Sequence, residues 1–108
     1  MGPTRLYERY NFAATAEIID GSGAHFPSQA TNISFGGCRL VTNGRLPIGA
    51  SVTIKIRTAP DDFEAPAQVV HSTASDAGVM FGKFTAQSLF VLEKWINEAK
   101  SATTAPQP

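Results

Sequence analysis

Two short groups of residues carry the chemistry that this chain can do. Arg5 and Arg9 stand four apart near the start. In a helical turn they would share a face, and in an irregular arm they can still converge on one group. The stretch Asn32-Ile33-Ser34-Phe35-Gly36-Gly37 holds an amide, a hydroxyl and two consecutive glycines within six residues. Asn and Ser bond readily to nearby backbone groups and favour turns over ladders. Paired glycines permit positive φ and let another molecule approach the bare backbone. Such a turn can present convergent donors and acceptors to a polar ligand, and it serves equally well as a plain strand-to-strand turn.

The charge distribution adds to this reading. Formal net charge is zero, which argues against an extended nucleic-acid surface. All five arginines fall in the first 57 residues, where six cations face three carboxylates; three cations face six carboxylates in the remainder. Arginine gathered in one half suits a compact, forked anion contact better than a broad basic field. Arg39 follows the turn closely, and it can add to that field or pair with Glu17 on a neighbouring strand.

A chain of 108 residues, 43% hydrophobic and 17% charged, fits one domain with a single core. Leu89-Phe90-Val91-Leu92 is among the longest apolar runs and is far too short to cross a bilayer. The N-terminus lacks a charged-then-apolar signal pattern, so a cytoplasmic protein without membrane insertion is expected. Cys38 is a single cysteine, expected to be a buried small hydrophobe. His25 and His71 have no companion at zinc spacing, so no metal is expected.

The elements that must position these residues follow from periodicity. Residues 1–11 precede any pattern and read as a mobile arm carrying the arginine pair. Phe12, Ala14, Ala16 and Ile18 then alternate with polar positions as a half-buried strand, closed by the turn Asp20-Gly21-Ser22-Gly23. Residues 25–33 form a second strand, with Pro27 suggesting an edge. Cys38 to Val41 is a short third strand. Val52, Ile54 and Ile56 mark a fourth, and Phe63, Ala65, Ala67 and Val69 a fifth with Pro66 on the other register. Gly78 to Phe81 is a sixth. Leu89, Leu92, Ile96 and Ala99 then follow helical spacing behind Thr85 as N-cap, with Trp95 widening the stripe for core packing. Residues 100–108 read as a disordered tail. The expected fold is a small six-stranded antiparallel barrel or sandwich over 12–99, covered by one C-terminal helix.

No catalytic set stands out, and no Gly-rich loop leads from a strand into a helix, so an enzyme is not expected. Taken together, Arg5-x-x-x-Arg9 and Asn32-x-Ser34-x-x-Gly37, one hairpin apart in a six-strand pattern, resemble the PilZ domain family. That family carries Arg-x-x-x-Arg followed by Asp/Asn-x-Ser-x-x-Gly. Tyr7 takes the aromatic place inside the arginine pair. Leu46 and Gly49 resemble the family's turn before its fourth strand, Val69-Val70-His71 its fifth strand, and Gly78-Val79-Met80-Phe81 its Gly-Val-x-Phe ending. The likeness covers roughly residues 5–98.

The resemblance implies a six-stranded antiparallel β-barrel with a C-terminal helix, serving as a bacterial receptor for cyclic di-GMP. It implies Arg5, Arg9, Asn32, Ser34, Gly36 and Gly37 as ligand-binding residues. The arginine forks would grip phosphate or the O6/N7 edge of guanine, and Asn32 and Ser34 the second guanine or its sugar and phosphate. Binding would order the arm and present a new surface to an unidentified downstream protein, with the chain a monomer or weak dimer. Motility and biofilm formation are settings that the family suggests. Thr4 stands where a further arginine goes with a stacked ligand pair, which leans toward one ligand per domain. Two other readings stand beside this one: a PilZ-like protein-interaction module that does not bind the nucleotide, and a flavin-using enzyme on a related split barrel.

Overall fold

The computed structural model describes residues 9–103. Its first strand, β1 (Tyr10–Ile19), buries Ala16 and Ile18 and turns Asn11, Ala13 and Thr15 outward, the alternation expected of a half-buried strand. It begins at Tyr10, so Tyr10 and Asn11, assigned to the arm from the sequence, are barrel residues paired with Ile33 and Asn32 of β2 (His25–Ile33). Asp20 builds the turn between them. Its Oδ1 accepts from the Ser22 hydroxyl at 2.7 Å and from the amides of Ser22 and Ala24 at 2.9 and 3.0 Å.

Four further strands follow: β3 (Gly37–Val41), β4 (Ser51–Arg57), β5 (Asp62–Ser72) and β6 (Asp76–Phe81). The order around the barrel is β1-β2-β3-β6-β5-β4, every pair is antiparallel, and β1 pairs with β4 to close it. Closure removes the edge that Pro27 and Pro66 suggested. Both prolines instead sit where one ladder has run out. The β2–β3 ladder starts at Gln29, two residues past Pro27, and the β5–β6 ladder ends at Ala67, one residue past Pro66. A missing amide therefore breaks no ladder on that side.

The interior is apolar. Ile33, Cys38, Leu40, Ile54, Ile56 and Val69 are fully buried. The helix α1 (Ala86–Thr103) adds Leu92, Trp95 and Ile96. Trp95 faces the ring of Phe12 at 5.0 Å and that of Phe63 at 6.1 Å, so the helix is locked onto β1 and β5 by offset aromatic contacts. Thr85 caps α1 by accepting the Ser88 amide at 3.1 Å, and the Ser88 hydroxyl donates to the Glu64 carbonyl at 2.9 Å, tying the first turn to β5. The helix runs through Thr103, past the tail boundary expected at residue 100. Ala99 and Ala102 favour helix, and no glycine or proline interrupts before Pro106.

Two irregularities matter for the outer surface. Between β2 and β3, Ala30 pairs with Leu40 and Asn32 with Arg39, so Thr31 is an extra residue on β2. Strict alternation from the buried Ala30 would turn Asn32 inward; the bulge instead puts both Thr31 and Asn32 outside before Ile33 returns to the core. Likewise Val69 pairs with Val79 and His71 with Gly78, so Val70 is the extra residue and His71 turns outward.

Candidate functional site

The hairpin joining β2 to β3 is held by Ser34. Its amide donates to the Gly37 carbonyl at 2.8 Å. Its hydroxyl accepts from the amides of Gly36 and Gly37, both at 3.1 Å, and lies 3.2 Å from the Gly37 carbonyl as donor. One hydroxyl has one proton and two lone pairs, so Ser34 is fully engaged inside its own turn, at 5% exposure. The side chain read from the sequence as a ligand contact is, in this conformation, the staple that shapes the turn.

The glycines also do something other than expected. Among the described residues positive φ occurs at Gly23, Gly44 and Gly49, not within Asn32–Gly37. Gly37 is required for close packing instead: a β-carbon there would sit 2.0 Å from the Val79 carbonyl oxygen. That approach brings β3 against β6. Alongside it the Gly36 carbonyl accepts the Phe81 amide at 2.8 Å. The turn is thus welded to β6, and its outward groups are Asn32 and the ring of Phe35, which is 36% exposed.

Arg9 stands directly above this turn. Its Nη1 donates to Asn32 Oδ1 at 3.3 Å. The pairing of Tyr10 with Ile33 and Asn11 with Asn32 fixes the direction in which the chain enters β1, and so brings Arg9 to Asn32. Beneath them, burial pushes the Cys38 thiol up to about 12, opposed only in part by the Arg9 guanidinium. Cys38 is buried, as expected of a free cysteine that behaves as a small hydrophobe. Thr4, Arg5 and Tyr7 lie outside the described residues.

Arg39 does not pair with Glu17. The Glu17 carboxylate lies 2.8 Å from His25 Nδ1, whereas Arg39 Nε lies 3.2 Å from Asp76 Oδ2 across β3 and β6. Strand pairing explains the difference: Arg39 faces Asn32 on one side and Gly78 on the other, two residues from Asp76. Asn11 and Asp76 are not marked by the sequence, and His71 only as a lone histidine in the fifth strand, because barrel pairing is what brings all three to this surface.

Three cavities among the described residues lie elsewhere, one of them, of about 550 Å³, between Ala14 and Arg57. One of about 630 Å³ is lined by Lys55, Glu64, Pro66, Phe84 and Ser88 near the start of α1. One of about 530 Å³ is lined by Phe26, Leu46, Pro47 and Val52 beside the 20–24 turn. None of the three includes Arg9 or a residue of the Asn32–Gly37 turn. No group of three or more His, Cys, Asp or Glu among the described residues could hold a metal ion.

The sequence matches the model of the PilZ domain over residues 3–98. The chain belongs to the PilZ domain family. Solved PilZ domains share its fold at low identity. The PilZ domain of CeSA from a cellulose-synthesising bacterium superposes with a TM-score of 0.67 at 14% identity, covering 89% of this chain and 98% of that one. The PilZ domain of YcgR from Escherichia coli, solved with c-di-GMP, gives 0.70 at 11% identity, covering 96% and 100%. The Bacillus subtilis inhibitor of motility, MotI/DgrA, gives 0.73 at 18% identity, covering 97% of this chain and 54% of that one. No curated protein sequence matches the chain. Within this PilZ domain no helix of the described residues is long and apolar enough to cross a membrane.

Proposed function

We propose that this PilZ domain is a receptor for cyclic di-GMP that takes the ligand on the barrel face beside the β2–β3 turn and presents the complex to a partner protein. The observation that carries the reading is the 3.3 Å contact from Arg9 to Asn32, because it joins one residue from each of the two signature motifs on one surface. Arg9 offers a planar fork to a phosphate or to the O6/N7 edge of guanine. Asn32 offers both a donor and an acceptor to the second guanine or its sugar. Ser34, through its hydroxyl, and Gly36 and Gly37, through their amides, hold the turn that carries the site. Arg5 is the second fork. The family and the YcgR domain solved with c-di-GMP support the choice of ligand.

Calorimetry with cyclic di-GMP tests this. Wild type should bind at micromolar ligand, with GTP and cyclic di-AMP weaker, and Arg9→Ala should lose about 1.5–3 kcal/mol of binding, the range for hydrogen bonds to charged groups. Absence of saturable heat overturns the receptor reading, and undiminished binding by Arg9→Ala overturns its assigned role.

A second reading, a protein-interaction module without nucleotide, is favoured by the apolar groups beside the turn. Met80, 51% exposed, pairs with Gly37, and Phe35 projects from the hairpin tip. A thermal shift on adding cyclic di-GMP separates the two, since a ligand that prefers the native state raises its stability.

A further inference from the structure

The face that carries Arg9 and Asn32 holds another guanidinium. Arg39 is the cross-strand partner of Asn32, and directly opposed residues on adjacent antiparallel strands place their side chains side by side. Its charge is already engaged. Asp76 Oδ2 lies 3.2 Å from Arg39 Nε, in a pair whose side chains are 43% and 29% exposed. The other carboxylate oxygen, Oδ1, accepts the Thr73 hydroxyl at 2.9 Å and lies 3.9 Å from His71 Nε2. Asp76 is thereby fixed by the 73–76 turn, while the long Arg39 side chain is the mobile member of the pair. Gly78, opposite Arg39, has no side chain to separate Arg39 from Asp76.

Resting on the receptor reading above, we propose that Arg39 is a further phosphate-gripping residue of this site, parked on Asp76 in the free protein and transferred to a phosphodiester of the bound dinucleotide. Three observations meet in it. Arg39 adjoins the amide that Arg9 already touches. Its partner is on the side away from Asn32, so Arg39 stands between Asp76 and the face that carries Arg9 and Asn32. The pair is partly solvated, and such pairs are weak enough for a doubly charged ligand to displace. Asp76 then has two effects. It offsets the repulsion between neighbouring guanidiniums in the free protein, and it competes with the ligand for one of them, setting the affinity from outside the contact surface.

The test uses the whole chain and cyclic di-GMP by calorimetry. Asp76→Asn keeps an acceptor for the Thr73 hydroxyl and removes the charge that holds Arg39, so binding should tighten about two- to fivefold, the strength of an exposed ion pair expressed as affinity. Arg39→Gln should weaken binding about tenfold or more, as expected on losing a charge-assisted contact. The double variant should bind like Arg39→Gln alone. Unchanged or weaker binding by Asp76→Asn overturns the competition, and undiminished binding by Arg39→Gln overturns the contact; in both cases a binding wild type leaves the receptor reading standing. A wild type that gives no heat defeats the receptor reading and this inference together. Should Asp76→Asn fail to fold, the Arg39 Nε–H resonance in ¹⁵N-labelled wild type decides: it must move on saturation with cyclic di-GMP, and an unmoved signal overturns the proposal.

Discussion

A β-carbon on Gly37 would lie 2.0 Å from the carbonyl oxygen of Val79, with the backbone of Met80 just behind. The obstacle is main chain on both sides, so no rotamer change relieves it. Gly37→Ala should therefore separate β3 from β6 and destabilise the fold by about 3 kcal/mol, the upper range for overpacking. A urea titration measures this. A variant as stable as wild type would mean that the strands can part at no cost. Any loss of ligand binding in this variant is a consequence of the displaced turn.

Ser34 and Asn32 belong to the same motif and should fail in different ways. Ser34→Ala leaves the amides of Gly36 and Gly37 without their acceptor, Gly37 in a buried position. Leaving buried donors unsatisfied costs about 1–3 kcal/mol of stability. Asn32→Ala removes an outward amide and one long contact to Arg9, so stability should change by less than about 0.5 kcal/mol while cyclic di-GMP affinity falls. Paired denaturation and calorimetry of the two variants check this; equal stability losses would contradict the division of roles.

Cys38 provides a pH signature. Its folded thiol is pushed up to about 12 from an ordinary 9.0, first by burial. A raised value means that the folded chain keeps a proton which the unfolded chain releases. Stability from this source is therefore complete below about pH 9 and lost progressively as pH rises toward 12. At pH 8 the native protein should not react with an aromatic disulfide reagent, and it should release one equivalent once denatured. Fast native labelling would mean that the barrel opens locally at Cys38.

The strands were legible because each carries its own period. Val52, Ile54 and Ile56, and Phe63, Ala65, Ala67 and Val69, needed no tertiary knowledge to be assigned to one inner face, and all are buried. Thr85 and Trp95 could be read the same way, as a cap and as core. What the sequence could not carry was anything decided by pairing between distant strands. Closure through β1 and β4, the engagement of Arg39 by Asp76, and the clash that forbids a side chain at Gly37 all depend on residues far apart in the chain. Ser34 shows the same limit at short range. A hydroxyl in a turn is equally suited to a ligand or to its own backbone, and composition does not choose between them. The family resemblance implied that ligand would draw Arg9 toward Asn32; strand pairing already brings the two together in the free chain.

The extra residue at Thr31 has a consequence of its own. Sidedness in a strand is a matter of parity, and the bulge lets two successive residues, 31 and 32, share the wet side between two that touch the barrel's oil. Deleting Thr31 would bring Asn32 next to the buried Ala30 in regular alternation, with the amide still outside and Ile33 still in the core. A relative whose strand lacked that residue would present the same motif to the same side, so the outward aim of the site tolerates a change of strand length at this one point.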